Sequence, residues 1–395
     1  MNVKDMKISV LGAGTMGRSV AQLFAMNGHQ VWLYNRTPEN LEKALVLIKS
    51  SLTELISLDM VKEEEIPAIM ARIRGTSDLK EAVEDADFIS ESVAENRDIK
   101  IGVYQAIDEY AKDSCIVTSD TSTMNVFEFI RIRNMDKLAI VHFFNPAYVM
   151  PQVEVVKGEE TSDETVAIIK ELLVGVGKKV AVLNKAIPGF ILNRITLAVF
   201  REVTYIAGMG YASPEDIDTA IVSTFGPRYA FEGPFGLVDF AGSELYKRLA
   251  ELLFPEISDA KVPPQLIQDM IDSGKLGVRS GEGFYHYDHP ETAGGKREVK
   301  ITRMIQAINK VNEELGGDND CQAVRILLAH TLSYNPSSQR AAPRYWMVRG
   351  AARFCLAVCR DKSLANIGLP RYNTPKQKQG SLCWQAERKE PPSTL

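Results

Sequence analysis

The chain has 395 residues, is 45% hydrophobic and 25% charged, and carries a formal net charge of −5 at pH 7. That balance suits a globular protein of two or three domains and excludes a mainly disordered chain. Its mild acidity argues against nucleic acid as a partner. No apolar run approaches the roughly 18 residues of a membrane helix, and the start lacks the apolar stretch of a secretion signal.

The first expected strand is Ile8–Leu11, and it runs into Gly12-Ala13-Gly14-Thr15-Met16-Gly17, a G-x-G-x-x-G that opens the helical pattern Ser19–Met26. Strand, glycine turn and helix in this order are the fingerprint of a dinucleotide site. Gly12 permits the tight turn, Gly14 lets the backbone approach a pyrophosphate, and Gly17 allows close helix–strand packing. The helix N-terminus, with Thr15 and Met16, offers free N–H groups to the phosphates.

The second strand, Val31–Tyr34, ends about 20 residues on, where the residue that reads the ribose belongs. An NAD site usually has a carboxylate there. Here Asn35-Arg36 follows: Asn35 has no charge to repel a 2′-phosphate and Arg36 can pair with one, which favours NADP(H). If Arg36 is only a solvated surface charge, NAD is used; the residues alone leave both open.

Further strands are expected at Phe88–Ser90, Ile116–Thr118, Ala139–Phe143, Val153–Val156 and Val180–Leu183, with amphipathic helices such as Leu41–Leu58 and Ile99–Tyr110 between the early ones. The alternation reads as α/β: a Rossmann-type, doubly wound parallel sheet over residues 1–186. After Pro188-Gly189 helical patterns dominate, so residues 187–316 read as a mostly helical second domain for substrate and dimerisation. Residues 317–395 carry 12 Lys and Arg against 5 Asp and Glu and lack clear periodicity. They read as a basic, poorly patterned tail, disordered or non-native.

The five cysteines form no C-x-x-C pair, and no His/Cys/Asp cluster has ligand spacing, so neither a disulfide framework nor a metal site is indicated. A reducing cytoplasm is the expected location.

Of five histidines, His142 stands apart. It lies near the end of the apolar strand Ala139–Phe143, and strand carboxyl ends face the ligand crevice of an open α/β sheet. Twelve residues later Glu154 interrupts the apolar run Val153–Val156. A carboxylate there is costly unless paired. A His–Glu pair would satisfy it and fix the imidazole tautomer for general base work.

With these segments in order, the chain resembles the short-chain L-3-hydroxyacyl-CoA dehydrogenase family over about residues 6–290. Besides the glycine turn and the His142 and Glu154 strands, the resemblance rests on Ser92-Val93-Ala94-Glu95-Asn96, Ser119-Asp120-Thr121-Ser122, His142-Phe143-Phe144-Asn145-Pro146, Pro188-Gly189-Phe190-Ile191-Leu192-Asn193-Arg194 and Gly281-Glu282-Gly283-Phe284-Tyr285. It implies that His142 is the general base, held by Glu154, and that Ser122 and Asn193 hydrogen-bond the reacting oxygen. It implies that Glu95, Lys100, Ser122, Asn145 and Arg279 lie toward the cofactor, that Ser51 and Ser122 contact an acyl-CoA substrate, and that the chain is a homodimer.

Three departures bear on the substrate. Asn35 replaces the family's acid, Arg279 replaces a lysine, and Ser57-Leu58-Asp59-Met60 lacks the lysine expected where CoA phosphates are held. Arg228-Tyr229-Ala230-Phe231-Glu232-Gly233-Pro234 is similar instead to relatives that oxidise free hydroxy acids, and Arg228 could pair with a carboxylate. The leading reading is therefore an NAD(P)-dependent 3-hydroxyacyl-CoA dehydrogenase. The alternative is a dehydrogenase of a free hydroxy acid or pyridine-derived alcohol with the same machinery.

Overall fold

The structure, a computed structural model, describes residues 2–314. The tail read from the sequence lies outside the described residues. In chain order the elements are β1 (Ile8–Leu11), α1 (Thr15–Met26), β2 (Val31–Tyr34), α2 (Pro38–Ile56), α3 (Ile66–Ala71), β3 (Ile73–Thr76), α4 (Leu79–Val83), β4 (Phe88–Glu91), α5 (Arg97–Tyr110), β5 (Ile116–Ser119), β6 (Leu138–Phe143), β7 (Gln152–Lys157), α6 (Asp163–Gly175) and β8 (Lys179–Leu183). A helical part follows: α7 (Leu192–Gly208), α8 (Pro214–Tyr229), α9 (Pro234–Ala241), α10 (Ser243–Leu253), α11 (Gln265–Asp272) and α12 (Pro290–Glu314).

The strands form one sheet in the order β3-β2-β1-β4-β5-β6-β7-β8. The order reverses between β1 and β4, which is the switch point of a Rossmann fold and opens a crevice at their carboxyl ends. Helices cover both faces because strand side chains alternate in direction. Ile8 and Val10 of β1 join the apolar cluster of α1, α2 and α6, whereas Leu11 joins the cluster of α4 and α5. Helix α2 packs through Leu41, Ala44, Ile48, Leu52 and Leu55, one stripe at helical spacing.

Two features differ from the sequence expectation. Strand β3 was not anticipated, because Ile73-Arg74-Gly75-Thr76 is an edge strand whose two middle residues are exposed and leave no apolar run. The sheet is also not wholly parallel. Strand β7 runs antiparallel to β6, and β8 runs parallel to β7. Only eight residues, 144–151, join β6 to β7, too few for the crossover that a parallel pair needs.

Candidate active site

The crevice at the switch point is a cleft of about 820 Å³, lined by Gly12–Met16, Tyr34–Thr37, Ser92–Glu95, Asp120 and Ser122 among others. Its glycines meet the needs of a dinucleotide. Gly12 has φ +112°, and a Cβ there would stand 2.5 Å from the Ser92 carbonyl oxygen. A Cβ on Gly17 would stand 1.7 Å from the Gly12 carbonyl oxygen, so only glycine lets α1 pack this closely on the turn. Nothing lies within 4 Å of a Cβ on Gly14, which leaves the space before α1 for a pyrophosphate. At the far end, Asn35 Oδ1 accepts from the Thr37 amide at 3.0 Å, and Arg36 lines the wall. The β2 end therefore carries an amide and a guanidinium and no carboxylate.

His142 and Glu154 face each other directly across the β6–β7 ladder. Both point to the face that carries Leu138, Ile140 and Val156, since residues two apart share a side. His142 Nδ1 lies 2.8 Å from Glu154 Oε2, with the histidine 6% and the glutamate 0% exposed. The other carboxylate oxygen, Oε1, accepts from the amides of Ile191 and Leu192, each at 2.9 Å. Those amides are free because they begin α7. Gly189 (φ +77°) and buried Phe190 (φ +50°) make the turn that aims them at Glu154. Burial works to raise the Glu154 pKa. The bonds from His142, Leu192 and Ile191 outweigh it and hold the carboxyl below its ordinary value. An ionised Glu154 accepts from Nδ1–H, which leaves His142 Nε2 as a proton acceptor. The rings of Phe144 and Phe190 lie 4.6 and 5.6 Å from the imidazole.

A second buried network supports the loop that carries Ser122. Glu91 closes β4 and is fully buried; it accepts from Lys100 Nζ at 2.8 and 3.0 Å, Ser119 Oγ at 2.7 Å and the Val93 amide at 2.9 Å. Lys100 also pairs with Glu95 at 3.2 Å. Glu95 in turn accepts from the Thr121 hydroxyl and from the Ser122 amide at 3.3 Å. Burial works to raise the Glu95 pKa, but Thr121 and Lys100 prevail and lower it. Asn193 Nδ2 donates to the Ser122 carbonyl at 3.3 Å, so α7 of the helical part meets the β5 loop of the sheet, although neither Asn193 nor His142 is among the residues that line the cleft.

The structure thus brings together His142 with Glu154, and Ser122 with Asn193 and Glu95. Gly12, Gly14, Thr15, Met16, Asn35 and Arg36 line the large cleft, and Gly17 packs beneath it. Lys100 sits below the cleft as an ion-pair partner and is not among its lining residues. Ser51 and Asn145 line a second, smaller cavity. Arg279 lies in a short 3₁₀ turn, Val278–Ser280, and neither it nor exposed Arg228 lines either cavity.

Sequence reasoning missed Glu91 and Asp120. The signal for Glu91 was close to the one used for Glu154, a carboxylate in an apolar strand, here at its last position. Asp120 accepts from the Phe143 amide at 3.0 Å and from Ser92 Oγ at 3.2 Å. Burial dominates its titration and, against those two bonds, raises its pKa to about 8.

The family model described as the 3-hydroxyacyl-CoA dehydrogenase NAD binding domain matches residues 7–186, and that of the corresponding C-terminal domain matches residues 189–287. The chain is 32% identical over 307 residues to a 5-formyl-3-hydroxy-2-methylpyridine 4-carboxylate 5-dehydrogenase of Mesorhizobium japonicum, covering 78% of this chain and 98% of that one. It is 32% identical over 285 residues to a 3-hydroxybutyryl-CoA dehydrogenase of Clostridioides difficile, covering 72% of this chain and all of that one. Among solved structures, a crystal structure of the pyridine-carboxylate dehydrogenase, described as an NAD+ dependent dismutase, superposes with a TM-score of 0.70 at 31% identity, covering 77% and 99% of the two chains. An (S)-3-hydroxybutyryl-CoA dehydrogenase from Ralstonia eutropha gives 0.60 at 31% identity, covering 72% and 99%.

Proposed function

Because the chain belongs to the 3-hydroxyacyl-CoA dehydrogenase family, we propose that it interconverts an alcohol and a carbonyl compound with His142 as the proton-transferring group. NAD is the cofactor, and when bound it supplies the hydride acceptor or donor. The observation that carries the reading is the hydrogen bond of His142 Nδ1 to Glu154, whose charge is held against burial by that bond and by two backbone amides.

In oxidation, His142 Nε2 takes the hydroxyl proton, and Glu154 stabilises the imidazolium that forms. In reduction the same nitrogen returns the proton. Ser122 and Asn193, joined by a hydrogen bond, would hold the reacting oxygen and support its developing charge. Phe144 and Phe190 exclude water from the imidazole, which strengthens its interaction with Glu154.

Two substrate classes suit this chemistry. A 3-hydroxyacyl-CoA is the first, named for relatives such as the 3-hydroxybutyryl-CoA dehydrogenase of Clostridioides difficile. A free hydroxy acid or pyridine-derived alcohol is the second, and one observation favours it: where the family resemblance expects a phosphate-holding lysine, Leu58 is 4% exposed and packs into the core, so this position supplies no cation. The test follows NADH absorbance with acetoacetyl-CoA and, separately, with free acetoacetate and a pyridine carboxaldehyde. Oxidation with any of them supports the dehydrogenase reading; oxidation with none contradicts it.

A homodimer is part of the proposal. Phe231, Phe235 and Phe240 of the helical part are 76, 87 and 90% exposed, and apolar surface of this kind supports a face that another copy covers.

A further inference from the structure

The cofactor cleft divides at the glycine turn. Asn35 and Arg36, at the end of β2, stand on the side that takes the adenosine half of a dinucleotide. Ser92–Glu95, Asp120 and Ser122, beyond the ends of β4 and β5, line the other side, which is left for the nicotinamide half. Three carboxyls line this cleft: Glu95, Asp98 and Asp120. Glu95 is paired with Lys100, and Asp98 lies in the first turn of α5, where the helix dipole favours an acid. Asp120 has neither support. It forms no ion pair among the described residues, and Lys100, the cation that acts on it, is already held by Glu91 and Glu95.

The two oxygens of Asp120 meet different donors. The β5–β6 ladder ends at Ser119 and Ile140 while β6 runs on to Phe143, so the Phe143 amide lies past the ladder and donates to Asp120 Oδ1 at 3.0 Å. A side-chain amide oxygen would serve that N–H equally well, so this bond does not call for an acid. Oδ2 lies 3.2 Å from Ser92 Oγ. A hydroxyl donates to a carboxylate and accepts from a carboxylic acid, so this contact holds whether or not Asp120 carries a proton. Part of the residue stays exposed where it lines the cleft. The amide it holds follows His142 in the chain, so Asp120 joins the cleft to the strand of the reacting base.

We propose that Asp120 distinguishes the oxidised from the reduced cofactor: as a carboxylate it stabilises the positive charge that only the ring of NAD+ carries, and it releases its proton to solvent on loading with NAD+. The inference deepens the reading of this cleft as the NAD site of a dehydrogenase and rests on it.

Burial raises the Asp120 pKa to about 8, so at neutral pH the protein without cofactor carries it as the neutral acid. A cation beside it favours the charged form, and a neutral ring does not. Affinity for NAD+ is therefore linked to proton release and rises with pH until it levels off above about pH 8, while affinity for NADH does not follow. The other ionisable groups that face Asp120 are Glu91 and Glu95 from β4 and its loop, Lys100 from α5, and His142 beside the Phe143 amide. The glycine turn and Asn193 of α7 bring no charge. Glu95 is held below its ordinary value and stays charged across this window, and Glu91 and Lys100 are paired with each other. His142 is the group that needs a control.

The test measures binding to the full chain. Titration calorimetry with NAD+ and with NADH, from about pH 6 to about pH 9 in buffers of different ionisation heat, reads both the affinity and the protons released. NAD+ should bind about tenfold more tightly at the top of the range than at the bottom, with proton release at the lower pH values, and NADH should change by less than about twofold. Asp120→Asn keeps an oxygen for the Phe143 amide and should abolish both the release and the pH dependence, whereas His142→Gln should keep them. Ser92→Ala is the second variant if Asp120→Asn does not fold: it removes a bond that lowers the Asp120 pKa, so the rise in NAD+ affinity should move to higher pH. The proposal is overturned if NAD+ and NADH respond alike to pH, if Asp120→Asn retains the difference, if His142→Gln removes it, or if Ser92→Ala leaves it in place. If neither nucleotide binds at any pH, the reading of the cleft fails and the proposal with it; binding of both without a pH difference overturns the role of Asp120 alone.

Discussion

His142 Nδ1 stands 2.8 Å from Glu154 Oε2, and the two residues are direct neighbours across an antiparallel strand pair whose far side is closed by the first amides of α7. One carboxylate therefore couples the imidazole tautomer to the place where the sheet meets the helical part.

That coupling makes Glu154→Gln informative. The Ile191 and Leu192 amides need an acceptor, so the new side-chain oxygen should turn to them and its NH₂ to His142. Nδ1 must then accept, the ring proton moves to Nε2, and the base is lost. Glu154 is a positioning residue, so kcat for alcohol oxidation should fall by about 10²–10⁴-fold with little change in NADH affinity or melting temperature. Steady-state kinetics beside an NADH titration check this. A drop in stability with kcat spared would contradict it.

Asp120 predicts a pH dependence. Its pKa is raised by burial from 3.8 to about 8, so between those values the folded state holds a proton that the unfolded state has released. Its contribution to stability therefore falls as pH climbs through that window and levels off above it. Asp120→Asn keeps an oxygen for the Phe143 amide and removes the titration. Melting curves should show the variant equal to wild type near the bottom of the window and more stable above its top. Parallel curves at all pH values would refute the assignment.

Arg36 lines the cleft beside an uncharged Asn35, so NADPH meets no carboxylate at the end of β2. NADPH should bind alongside NADH, and Arg36→Ala should weaken NADPH by about tenfold or more while sparing NADH. Fluorescence titration with each nucleotide measures the difference. Equal losses for both would assign Arg36 to the surface.

The exposed phenylalanines of the helical part predict a dimer. Phe240→Asp places a charge on a side chain that is 90% exposed in the single chain, and its fold should be unaffected. Sedimentation should show a dimer for wild type and a shift toward monomer for the variant. A wild type that sediments as a monomer at micromolar concentration would contradict the reading.

Much of this arrangement is legible in the residues. The strand–glycine turn–helix from Ile8 to Met26 declares itself because Gly12 and Gly17 each have a steric reason to be there. His142 and Glu154 stand out as polar residues in apolar strands. What stays hidden is non-local. Nothing near Gln152 says that β7 reverses direction, although that reversal places Glu154 opposite His142. Strand β3 hides behind exposed Arg74 and Gly75. The contacts of Tyr148 with Glu298 and of Leu58 with Gln306 join residues 150 and 248 positions apart, beyond any periodicity.

The central claim is that His142 transfers the proton, and the most direct measurement compares wild type with His142→Gln in single-turnover oxidation of enzyme-bound NADH by a carbonyl substrate that the wild type reduces. The account predicts that His142→Gln binds NADH as tightly, melts at the same temperature, and loses about 10²–10⁴-fold in rate. A variant that still oxidises NADH at the wild-type rate would show that the proton comes from elsewhere and would contradict it.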